Sequence, residues 1–71
     1  MAKPSTAQIR NCILTVMEVT HPEHQTHTDV ARKLKWLASP HRIAMNMDRL
    51  ARDGVLEIEQ ADETKRYVLA G

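Results

Sequence analysis

The chain predicts a mainly helical α+β domain of three helices followed by a C-terminal β-hairpin. Three observations predict it. Apolar residues recur at helical spacing in three separate stretches, each stretch opens on a Ser or Thr N-cap, and after Gly54 the spacing changes from helical to alternating. Seventy-one residues with a single cysteine, Cys12, read as one domain over 1–71. Its core is thin and no internal disulfide supports it.

The first helix is expected over about 6–19. Ser5 followed by Gln8 is a capping-box signature. Ile9, Cys12, Ile13, Val16 and Met17 fall on one helical face, with Cys12 read as a small buried hydrophobe. Pro22 marks the loop that follows. The second helix is expected over about 27–36, where Thr26 and Asp29 give a related start and Val30, Ala31 and Leu34 form a narrow apolar stripe. Trp36, the lone tryptophan, is expected to fill the core or a subunit interface. The third helix is expected over about 40–53. Ser39 is its N-cap, Pro40 its first residue, Ile43, Met47 and Leu50 its buried stripe, and Gly54 its left-handed stop.

The hairpin is expected over about 55–69. Val55 to Glu59 alternates, and Arg66 to Leu69 is the second strand candidate. Residues 60–64 lack the Asn-Gly or Asp-Gly of a tight turn, so a longer, mobile loop is expected there.

The net charge of +1 is uninformative, but its distribution is not. Residues 32–52 carry Arg32, Lys33, Lys35, Arg42, Arg49 and Arg52 against Asp48 alone, six minus one, or +5. The segments before and after sum to −1 and −3. Basic charge gathered in one segment suits a phosphate-facing surface.

Helix, helix, short connection, helix, hairpin is the order of a winged helix-turn-helix. The chain resembles that superfamily of small bacterial and phage regulators. The resemblance rests on Thr26, Asp29-Val30-Ala31 and Leu34, then on Ser39-Pro40, Ile43, Met47, Leu50, Gly54-Val55-Leu56 and the closing Tyr67-Val68-Leu69. It departs where many members place a glycine after the position of Leu34; here Lys35-Trp36-Leu37-Ala38 makes a longer connection. The resemblance implies that the third helix enters the major groove of double-stranded DNA while the hairpin, the wing, reaches the backbone or minor groove.

On that reading the DNA-binding residues are Ser39, His41, Arg42, Met45, Asn46 and Arg49 on the helix, and Thr64, Lys65 and Arg66 on the wing. Arginine can donate twice to guanine, asparagine can pair with adenine, and Met45 can meet a thymine methyl. Ser39 suits a phosphate. The expected function is sequence-specific duplex binding by a transcriptional regulator in the cytoplasm, on the nucleoid, with a homodimer or a protein partner in prospect. The alternative is a winged-helix protein-interaction module, or a phage or plasmid replication or recombination accessory factor.

Other classes find little support. No phosphate loop, activated nucleophile or carboxylate pair marks an enzyme, and no cofactor is expected. His21, His24 and His27 are spaced by three, but they read as exposed loop histidines and not as a metal site. Neither a signal peptide nor a membrane-length apolar run is seen.

Overall fold

The computed structural model describes residues 3–35 and 37–70. The chain forms α1 (Thr6–Thr20), α2 (His27–Lys33), α3 (Pro40–Arg52), β1 (Leu56–Ala61) and β2 (Thr64–Leu69). The two strands pair antiparallel, with Leu56 opposite Leu69 and Ala61 opposite Thr64. This is the helical trio and wing of a winged helix-turn-helix.

Each helix begins where its cap dictates. The Ser5 hydroxyl accepts from the Gln8 N–H, and the Gln8 side chain accepts from the Ser5 N–H, completing a capping box. Thr26 and Asp29 form a second one at α2. Ser39 caps α3 by accepting from the Arg42 N–H, with Pro40 in the first turn.

The helices bury one stripe each: Ile9, Ile13 and Met17 from α1, Val30 and Ala31 from α2, and Ile43, Met47 and Leu50 from α3. Leu56 and Tyr67 close the core from the wing. Cys12 and Val16 sit at its margin, half-buried, so Cys12 is less enclosed than its place on the apolar face suggests.

The helix ends show a telling pair. At α3 the Gly54 N–H donates to the Ala51 carbonyl and the Val55 N–H to the Leu50 carbonyl, while Gly54 takes a φ of 83°. These are the two hydrogen bonds of a Schellman motif. At α2 the Lys35 N–H donates to Arg32 in the same relation, and Lys35 takes a φ of 52°. A lysine thus occupies the left-handed position where glycine is the usual choice. That is why α2 ends at Lys33 and not near residue 36: the backbone reverses hand two residues later. Trp36 itself lies outside the described residues.

The wing also departs from expectation. Strand pairing runs to Ala61 and Thr64, so only Asp62 and Glu63 form the loop. Asp62 takes a φ of 57°, a conformation that Asp tolerates better than most residues. The loop is therefore tight, and the expectation of a longer one over 60–64 fails. A further pairing has no signal in the sequence. Gln25, in the loop before α2, exchanges both backbone hydrogen bonds with Tyr67, at 2.8 and 2.7 Å, and so lies along the free edge of β2.

Three outcomes test these points. Lys35→Gly is expected to stabilise the domain by about 0.5–1 kcal/mol by relieving the left-handed conformation. Gly54→Ala is expected to destabilise it by about 1 kcal/mol, because its φ is strained for any side chain although a Cβ would meet no neighbour. Urea denaturation midpoints at unchanged slope read both effects. The Asp29 carboxylate is held below the usual carboxylate range, chiefly by the Thr26 N–H. Its contribution to stability is therefore complete above about pH 4 and fades as pH falls below that. Asp29→Asn is expected to flatten that part of the acid denaturation curve.

Candidate nucleic-acid interface

The core stripe of α3 determines which of its residues can face a partner. Ile43, Asn46, Met47 and Leu50 are buried, at positions i, i+3, i+4 and i+7. The opposite face carries His41, Met45, Asp48 and Arg52, also at helical spacing, with Arg49 beside them. His41, Arg49 and Arg52 are exposed, and so is Met45 at 52%.

The wing stands beside this face, and its two sides differ. Strand alternation and register put Leu56, Ile58, Gln60, Lys65, Tyr67 and Leu69 on the side toward α3. Glu57, Glu59, Thr64, Arg66 and Val68 lie on the other side. Lys65 therefore points toward α3, whereas Thr64 and Arg66 are turned away from it. On that outer side His24 Nε2 lies 3.4 Å from Glu59 Oε2, and Arg66 stands opposite Glu59 in the ladder.

Tyr67 fixes the wing to the helix. Its ring is in the core, and its hydroxyl donates to Asp48 Oδ1 at 2.5 Å. Burial first, and the Asp48 carboxylate second, hold the phenol well above its ordinary range. Lys65 Nζ lies 3.7 Å from the same oxygen. Asp48, the one acid in the basic segment, is thus occupied by a phenol and an ammonium. Together with Ala44, the start of α2 (Thr26, His27, Thr28) and the wing tip (Gln60, Glu63, Thr64), these residues line an open groove.

Several sequence-derived candidates change character. Asn46 was expected on the outward face, yet it is only 6% exposed; its Nδ2 donates to the Arg42 carbonyl at 2.9 Å and its Oδ1 is buried. The reason is spacing: Asn46 lies three residues after Ile43 and four before Leu50, inside the buried arc and next to α1. It is not placed to read a base. Arg42 is half-buried, and its Nη2 donates to the Pro4 carbonyl at 3.2 Å. It faces the start of α1 and not the outward stripe. Ser39 is exposed, but its hydroxyl already serves as the N-cap. Arg52, which the helical spacing from Ile43, Met47 and Leu50 already puts off the buried stripe, is exposed on the outward face although it is not among the DNA-binding residues expected above.

The basic segment also divides in space. Arg49 and Arg52 lie on α3, whereas Arg32 and Lys33 sit in the last turn of α2, at the opposite end of that helix from the groove. Charge that is contiguous in sequence is not one patch on the surface.

No helix among the described residues is long and apolar enough to cross a membrane. No family model matches the chain, and no curated protein matches it. Among solved structures it is similar to the ferric uptake regulator of Francisella tularensis with iron. The superposition has a TM-score of 0.81 and 24% sequence identity, and it covers 87% of this chain. The chain spans 50% of that protein's length. The likeness establishes the winged-helix fold. The iron belongs to that protein; among the described residues here, no group of three or more His, Cys, Asp or Glu comes together to hold a metal.

The Tyr67–Asp48 hydrogen bond is testable by pH. A phenol whose ionisation is disfavoured in the folded state contributes stability that is complete below about pH 10 and is lost as pH rises above it. Tyr67→Phe is expected to cost about 1–2 kcal/mol near neutrality and to reduce the alkaline loss of stability, as read by thermal melts across pH 7–11.

Proposed function

We propose that this chain binds double-stranded DNA as a transcriptional regulator, presenting the outward face of α3 to the major groove. The observation that carries the proposal is that exposed face: His41, Met45, Arg49 and Arg52 project from a helix whose other side is locked into the core. His41 and Met45, in the N-terminal half, are suited to base edges and a thymine methyl. Arg49 and Arg52 make no ion pair among the described residues, so their charge is available to guanine or phosphate.

The wing plays a smaller electrostatic part. Its exposed acids Glu57, Glu59, Asp62 and Glu63 outnumber Lys65 and Arg66, so only Thr64, Lys65 and Arg66 favour an approach to phosphate. The same acidic surface supports the alternative, a winged helix that docks on a basic protein partner. Pairing as a homodimer on a two-fold site would raise affinity.

Selection from a random duplex library is the direct test. An enriched motif, bound with steep salt dependence, is the expected result. Arg49→Ala and Arg52→Ala are each expected to cost about 1–3 kcal/mol of duplex affinity without lowering the melting temperature. Met45→Ala is expected to relax preference at one or two positions of the motif. Absence of any salt-dependent duplex binding, with retention on a basic protein partner, would turn the assignment to the alternative.

A further inference from the structure

The side of α3 next to α1 holds a feature that the outward face does not explain. Thr6, Arg42, Met45, Asn46 and Arg49 line a cleft of about 140 Å³, several times the roughly 30 Å³ that one water occupies. Asn46 is 6% exposed, and its Oδ1 accepts no hydrogen bond among the described residues. Its orientation is set, because Nδ2 is spent on the Arg42 carbonyl. A buried acceptor without a donor is costly and rare. The acceptors beside it, the Arg42 and Pro4 carbonyls, already take hydrogen bonds, and the groups left around it can donate: the Arg42 and Arg49 guanidiniums, the Thr6 hydroxyl and the positive end of α1, a helix of 15 residues. Arg42 spends one of its five N–H donors on Pro4, leaving four.

We propose that this cleft is a seat for one phosphodiester group of the DNA backbone. Arg42 and the first turn of α1 hold the phosphate from one side. Arg49 closes over it from the other, donating one N–H to Asn46 Oδ1 and the rest to phosphate oxygens. Asn46 is then a positioning residue: its acceptor sets the plane of the Arg49 guanidinium. The seat rests on the duplex-binding reading above and gives Arg42 and Asn46 a role that reads no base. A phosphate contact sets register on the duplex and leaves sequence preference untouched.

The experiment measures the affinity of the full chain for an enriched duplex and for an unrelated duplex across salt concentrations. Arg42→Ala is expected to weaken both by the same factor and to lower the slope of log K against log salt by about 0.9, the value for one phosphate. Asn46→Leu removes the orphaned acceptor for an apolar group of similar size, so its melting temperature is expected to hold or rise. Its salt slope is nonetheless expected to fall toward that of Arg49→Ala, and the double variant Asn46→Leu/Arg49→Ala to be no weaker than Arg49→Ala alone. If Arg42→Ala leaves the slope intact, or changes the ratio between the two duplexes, the seat is wrong while duplex binding stands. If Asn46→Leu binds as the unaltered chain does, the positioning role is wrong. If the unaltered chain binds no duplex, both readings fall together.

Discussion

Tyr67 is the point at which the three parts of this small domain are tied together. Its ring fills the core, its backbone pairs with Gln25 before α2, and its hydroxyl reaches Asp48 on α3. A two-stranded hairpin is marginal by itself in water. Here one residue gives the hairpin a third backbone partner and a polar tether to the helix. The groove between α2, α3 and the wing has a defined shape because Tyr67 connects all its walls.

The tether has an electrostatic consequence. Asp48 lies on the outward face of α3, where a free carboxylate would repel phosphate. The phenol and Lys65 occupy it, so the same contacts that dock the wing also mask an acid on the candidate interface. Wing docking and the charge of the outward face of α3 therefore meet at a single carboxylate. On the wing's outer side Glu59 is met by His24 and faced by Arg66, while Glu57 stands opposite Val68.

The two edges of α3 do different work. The edge toward the wing is set by Tyr67 and Asp48. The edge toward α1 is set by Arg42 on the Pro4 carbonyl, by Asn46 beneath it, and at the far end by the Arg10–Asp53 pair at 3.4 Å. That pair is exposed and contributes little by itself. The Schellman turn at Gly54 ends the helix in register with β1, so helix length, wing position and outward face are set together.

The starts of all three helices, the buried stripes and the antiparallel hairpin were legible in the sequence. Capping boxes, the Ser-Pro start and the change of apolar spacing each act within a few residues, so local chemistry determined them. What stayed illegible was carried by residues out of their usual roles or by contacts distant in sequence. Lys35 and Asp62 adopt the left-handed backbone that a glycine would have announced. Gln25 and Tyr67 meet across more than forty positions. The polar character of Asn46 suggested exposure, yet it lies within the buried arc because α1 crosses α3 there. Sequence alone therefore determined which segments are helical and where they start, since those hydrogen bonds are local. Only tertiary packing decided how wide the free side of α3 is, because contact with the start of α1 takes Arg42 and Asn46 out of it.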